Sequence, residues 1–190
     1  MVQKERVVVA TTKEMKWGIT GGSGQLAQSL VEILTKKGIN YIKWNHDQID
    51  IADSNSINKI SEFQPDVLVN CAAWTNVDRA EDSFEQALKV NRDGASNVAL
   101  VAKELNIPLL HISTDYVFSG EKSHPWLVED DTNPSTKYGQ SKLFGEKKIQ
   151  EIWREKSYVV RTAWLYGPYG KNFAKTIVKK LLSTGDAIQV

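Results

Sequence analysis

Lys16-Trp17-Gly18-Ile19-Thr20 runs straight into Gly21-Gly22-Ser23-Gly24-Gln25-Leu26-Ala27, after which Leu26, Leu30, Val31 and Leu34 recur on one helical face as far as Gly38. A short apolar strand, a tight glycine turn and an amphipathic helix in that order predict a β-α unit. Such units in series stack into a parallel sheet with helices packed on it. Gly21 and Gly24 let the backbone come close to a pyrophosphate, and the helix start offers unpaired N–H groups and a positive dipole end. Ala27 fills a position that needs only a small residue for helix and strand to pack. The turn by itself would equally be a plain tight turn; the strand before it and the helix after it favour phosphate binding.

The same alternation continues. Tyr41-Ile42-Lys43-Trp44 reads as a second strand, with Asn45 and His46 at its tip and no acid before Asp47, so the choice between NAD and NADP stays open. His46 reads as an exposed loop residue. Asp50-Ile51-Ala52-Asp53 leads to a helix carrying Ile57, Ile60 and Phe63, with Asp53 or Ser54 as its cap. Val67-Leu68-Val69-Asn70 is uninterrupted enough to be a buried parallel strand. Cys71-Ala72-Ala73 then leaves room for a flat ligand at the sheet edge. A helical pattern over 83–105 is interrupted near 91–94, as at a kink. Leu109-Leu110-His111-Ile112-Ser113-Thr114 is a fourth strand, with His111 as a packed or partly exposed sheet residue. Thr114 is equally a strand-end hydroxyl or a catalytic one. Residues 117–137 form a long polar loop of the kind that covers sites. A helix from Tyr138 to about residue 154, a fifth strand at Tyr158-Val159-Val160-Arg161-Thr162 and a last helix with Phe173, Ile177, Val178, Leu181 and Leu182 complete the pattern. The architecture expected is α/β, a Rossmann-like doubly wound parallel sheet.

Within the helix from Tyr138 to about residue 154, Tyr138 and Lys142 stand four apart and so share a face. A phenol ordinarily titrates near 10, and an ammonium beside it stabilises phenolate, so the pair suits acid/base chemistry. Composition sets the limits. With 190 residues, of which 41% are hydrophobic, one domain with a sizeable core is expected. The balance of 24 Lys+Arg against 23 Asp+Glu argues against a nucleic-acid or membrane-surface partner. No apolar run reaches membrane-spanning length, and Cys71, the single cysteine, cannot form an intrachain disulfide, so a cytoplasmic protein is expected. Cys71 reads as a small packed hydrophobe, and no metal-ligand spacing occurs. Residues 1–14 are expected to be an extension or tail, with an added edge strand from Val7 to Ala10 as the alternative, and 15–190 the nucleotide-binding domain. Ala187-Ile188-Gln189-Val190 looks like a strand just begun.

From residue 15 onward the chain resembles the extended short-chain dehydrogenases/reductases. The glycine turn and Tyr138-Gly139-Gln140-Ser141-Lys142 carry that likeness. Ser113-Thr114-Asp115-Tyr116-Val117-Phe118, Asp78-Arg79-Ala80-Glu81 and Arg161-Thr162-Ala163-Trp164-Leu165-Tyr166-Gly167 narrow it to the dTDP-4-dehydrorhamnose reductases. The resemblance implies hydride transfer from NADPH or NADH to the C4 ketone of a dTDP-linked deoxysugar, giving dTDP-L-rhamnose. It implies that Tyr138 donates the proton, Thr114 hydrogen-bonds the oxygen, and Lys142 lowers the tyrosine pKa and holds the nicotinamide ribose. Gly21, Gly24, Gln25, Leu26, Asp50, Ile51, Ala72 and Ala73 would line the cofactor, and Asp115 and Trp164 would face the sugar, although Trp164 read alone is equally a packing residue. The family continues into a smaller carboxyl-terminal region that completes the sugar pocket, so most of that region is expected to be missing here. The family resemblance allows a homodimer. Two related readings stay open: a nucleotide-binding regulatory subunit like that of methionine adenosyltransferase, against which Thr114, Tyr138 and Lys142 together argue, and a sugar-nucleotide epimerase or dehydratase. Dehydratases usually carry an acid where this chain has Tyr116.

Overall fold

A computed structural model describes residues 15–184. The expectations for 1–14 and for Ala187-Ile188-Gln189-Val190 lie outside the described residues. Five strands, β1 (Lys16–Thr20), β2 (Asn40–Trp44), β3 (Val67–Asn70), β4 (Leu109–Thr114) and β5 (Ser157–Thr162), form one sheet. Every pairing is parallel and the spatial order is β2-β1-β3-β4-β5. The chain therefore leaves β1 toward one edge, returns, and continues from β3 toward the other. The carboxyl ends of β1 and β3 flank the point where that direction reverses, which is where open α/β sheets bind ligands.

Both sheet faces are covered, as the unbroken apolar runs require. On one face, Ile19 and Val69 pack with Ala27 and Leu34 of α1 (Gln25–Lys36). On the other, Leu68 and Leu109 join Ile60 of α2 (Asn58–Phe63), Val98 and Ala102 of α5 (Ala95–Glu104), and Ile149 and Trp153 of α6 (Lys137–Trp153). Adjacent Leu68 and Val69 thus serve opposite cores, the period of a strand.

Three elements differ from expectation. Neither Asp53 nor Ser54 caps α2: Asp53 accepts from the Asn55 N–H, a local turn, and Ile57 stands at the cap with no side-chain bond. A short helix unforeseen in the sequence, α3 (Val77–Asp82), is capped by Asn76, whose side chain accepts from the Arg79 N–H. The break near 91–94 is a π-helical turn at Lys89–Gly94 between α4 (Phe84–Leu88) and α5. A last helix, α7 (Phe173–Thr184), follows Asn172. No helix among the described residues is long and apolar enough to cross a membrane.

Candidate active site

One cleft of about 790 Å³ opens along the carboxyl edge of the sheet. Gly21, Gly24, Gln25 and Leu26 line it where β1 meets α1, with Asp50 and Ile51 following β2 on that side; Ala72 and Ala73 line it after β3; Thr114, Asp115, Tyr138, Lys142 and Trp164 line it toward β4, β5 and α6. The structure therefore brings every residue singled out from the sequence to one cavity. His46, expected to be a loop residue, also borders it, as do Ser23, Trp74, Thr75, Gly170 and Lys171, which the sequence did not single out. Gly170 and Lys171 reach the glycine turn because Asn172 donates to the Gln25 side chain at 2.9 Å. Nothing in their own stretch signals that contact.

The glycine end is built from backbone. Gly21 adopts φ +68°, and a Cβ there would lie 2.6 Å from the Ala72 nitrogen. Gly24 N–H closes the turn on Gly21 O at 2.9 Å, and Gly22 N–H ties it to Trp44 O at 2.8 Å. The result is a bare backbone concavity at the start of α1, where Gly24 makes no side-chain cap.

The opposite end is built from side chains on α6. Its start is fixed twice: Thr136 accepts from Gly139 N–H, and Glu81 of α3 accepts from Lys137 N–H at 2.9 Å. Ala80 and Ala87 pack on Tyr138 with Trp74 and Val77, so the Asp-Arg-Ala-Glu segment seats the tyrosine. Gly139 and Gly145 allow the close approach, since a Cβ on either would overlap the carbonyl oxygen of Tyr116 or Asn91 respectively. Ser141, fully buried, donates to Tyr138 O and accepts from Asn91 of the π turn.

The electrostatics depart from one expectation. Burial pushes the Tyr138 phenol up, with Asp115 and Tyr116 adding to it and a hydrogen bond with Thr114 opposing it. Lys142 is not among the groups that set this shift; its Nζ points below, donating to Ile112 O at 2.6 Å and lying 3.4 Å from His111 Nε2. Burial brings Lys142 itself down to about 8, against the Glu146 charge, which favours the ammonium. The phenol therefore keeps its proton and serves as a donor. Thr114 donates to Asp115 Oδ1 at 3.1 Å and accepts from Tyr116 N–H. Trp164 sits at the rim, 74% exposed, edge-on to Phe173. Burial pushes the Cys71 thiol up to about 12, so it is no nucleophile. No group of acidic, histidine or cysteine side chains among the described residues could hold a metal ion.

Residues 15–190 match the family model described as RmlD substrate binding domain. A dTDP-4-dehydrorhamnose reductase of Streptomyces griseus is 38% identical over 165 residues, covering 86% of this chain and 54% of that protein. A crystal structure of a dTDP-4-dehydrorhamnose reductase from Clostridium acetobutylicum superposes with a TM-score of 0.83 at 40% identity, over 87% of this chain and 59% of that one. The Bacillus anthracis reductase, solved in complex with NADP, gives 0.84 at 35% identity, with the same coverage of 87% and 59%. This chain thus spans between half and two thirds of the length of these relatives.

Proposed function

The chain belongs to the RmlD substrate-binding-domain family, and from that premise we propose that it serves the NAD(P)H-dependent reduction of the C4 ketone of dTDP-4-dehydrorhamnose to dTDP-L-rhamnose. The observation that carries this reading is the meeting of Thr114, Tyr138 and Lys142 at one end of a cleft whose other end is a bare glycine turn. A dinucleotide fits that cleft. The space a Gly21 Cβ would fill is left open for its backbone to approach phosphates, and the Ser113 hydroxyl, buried beside the cleft, has no partner among the described residues. When bound, the cofactor supplies the hydride.

The protein's own part is proton delivery and orientation. Tyr138 gives its proton to the ketone oxygen as that oxygen becomes an alkoxide, and Thr114 donates a hydrogen bond to the same atom. Hydride and proton together make the C4 alcohol. Gly21, Gly24, Gln25 and Leu26 would hold the phosphates, with Asp50, Ile51, Ala72 and Ala73 along the rest of the cofactor, and Lys142 would hold the nicotinamide ribose. Asp115 and Trp164 would face the sugar. The tip of β2 carries the neutral Asn45 with His46, neither an acid nor a fixed base, so NADPH and NADH are both candidates. A cytoplasmic setting and a second copy of the chain as partner complete the proposal.

The test follows NADPH and NADH binding by tryptophan fluorescence and their oxidation with dTDP-4-dehydrorhamnose at the nicotinamide absorbance. Tyr138→Phe is expected to lower turnover by roughly a hundredfold to ten-thousandfold while leaving dinucleotide affinity within about twofold. Turnover untouched by that change, or a chain that binds neither dinucleotide, overturns the reading.

A further inference from the structure

The loop that follows β5 does not stay over its own strand. It starts at Thr162 on one edge of the sheet and reaches α1, which follows β1; in the strand order β4 and β3 lie between. Tyr169 donates to Glu32 Oε2 at 3.1 Å, and Asn172 donates to Gln25 Oε1 at 2.9 Å. Gly170 lies so close to α1 that an added Cβ would stand 3.3 Å from the Gln25 Cβ. Asn172 also donates to Gly167 O, and Lys175 Nζ donates to Pro168 O and Gly170 O, so residues 167–172 form a strap braced from within.

Lys171 is held between the Gly170 and Asn172 contacts and borders the cleft together with the glycine turn. Lys142 and Lys171 are the two lysines that line the cleft, and no arginine lines it. Lys142 is buried and donates to Ile112 O, toward β4. Lys171 is exposed and has no hydrogen bond or ion pair with another described residue. No acid competes for it nearby: the first turn of α1 carries none, Asp50 accepts from Ala52 N–H after β2, and Asp115 accepts from Thr114 after β4. A dinucleotide carries its negative charge on the diphosphate, and the glycine turn meets that charge with backbone dipoles alone. The full positive charge on that side of the cleft is the Lys171 ammonium.

We propose that Lys171 is a binding residue for the diphosphate of the dinucleotide, carried across the cleft by the strap and kept there by the bonds of Tyr169 and Asn172 to α1. An ammonium is a compact charge on a flexible stem, so it follows a diphosphate without needing a fixed geometry. Charge-assisted hydrogen bonds are roughly twice as strong as neutral ones, although solvent at this exposed place screens part of the gain. The anchors matter because a strap already ordered loses little freedom when the ligand arrives, whereas a loose loop would have to be ordered by it. The diphosphate is favoured over an adenosine 2′-phosphate by position. The ribose of such ligands lies at the tip of β2, which stands on the far side of β1 from the strands between the strap's two attachments.

The assignment rests on the dinucleotide-binding part of the proposed function, and binding measurements separate the two. The full chain is titrated calorimetrically with NADPH, NADH and ADP-ribose, the last of which keeps the diphosphate without the nicotinamide. Lys171→Gln is expected to weaken all three by about tenfold and to make the remaining affinity less sensitive to salt. The urea midpoint should not move, because the side chain bonds to nothing in the protein. Lys171→Arg keeps the charge and is expected to stay within about twofold of the wild type. Asn172→Ala frees the strap from Gln25 and is expected to weaken all three ligands about threefold with Lys171 still in place. A loss confined to NADPH overturns the proposal, because it puts the ammonium at the 2′-phosphate; a loss that spares ADP-ribose also overturns it, by putting the ammonium at the nicotinamide. Wild-type affinity in Lys171→Gln or in Asn172→Ala overturns it while the cofactor reading stands. A chain that binds none of the three ligands overturns both.

Discussion

The two ends of the cleft are made of different materials. At the glycine end the shape comes from missing atoms: Gly21 in the left-handed region, Gly24 bonded back to it, and a space that any Cβ would fill. At the tyrosine end the shape comes from buried polar side chains, with Lys142 only 2% exposed and bonded to a carbonyl and an imidazole rather than to a carboxylate. The first arrangement is compatible with a stable fold. The second works against it, since burying an ammonium without a directly bonded anion is unfavourable. Stability and chemistry are opposed at one end of the cleft only.

Substitutions at the two ends should therefore have opposite signs. Gly21→Ala meets the Ala72 backbone at 2.6 Å in a left-handed conformation. Strain and overlap together are expected to destabilise the fold by about 4 kcal/mol, with dinucleotide binding lost, as read from urea unfolding and fluorescence titration. A variant as stable as the wild type would show that the turn is not tightly packed. Lys142→Met is expected to stabilise. The lysine titrates near 8 in the folded state against 10.5 when free, so between those values the unfolded chain binds more protons and stability rises with pH. Below about 8 the cost of the buried ammonium is fully present, and removing it gains about 3 kcal/mol at pH 7. The advantage should shrink as pH climbs above 8 and vanish near 10.5. Stability measured against pH for both proteins checks this; parallel curves would mean that the lysine titrates normally.

The same contrast explains what the sequence could tell. The glycine turn is contiguous and its strand and helix carry their own periodicities, so that end was legible. Tyr138 and Lys142 were legible as an i, i+4 pair, and the polar strand ends pointed to Thr114. What holds them was not. Asn70, Asn91, His111 and Ser141 are brought together only by the parallel register and by the π turn, and within their own segments each looks like an ordinary polar residue. The pKa expectation for Tyr138 failed for a related reason. Spacing put the lysine on the same face, but burial decides what the phenol experiences, while Nζ is drawn to Ile112 and His111. Helix α3 escaped because six residues with two apolar positions have no period to detect, and its Asn76 cap resembles any loop asparagine.

Asn91 joins the two materials and supplies the smallest of these effects. Its amide accepts from Trp74 N–H at 2.9 Å and donates to Trp74 O at 3.1 Å and to Ser141 Oγ at 2.9 Å. The loop after β3 is thus tied to α6 by one side chain, and Ser141 passes the tie to the Tyr138 carbonyl at 2.7 Å. Asn91→Ala leaves both backbone groups of Trp74 without their partner and is expected to cost about 2 kcal/mol. If the tie works as a unit, Ser141→Ala should add less in that background than alone, with a coupling of about 1 kcal/mol in a double-mutant cycle. Strict additivity would mean that the loop and the tyrosine helix are held independently, and that the two ends of the cleft share a cavity but no common support.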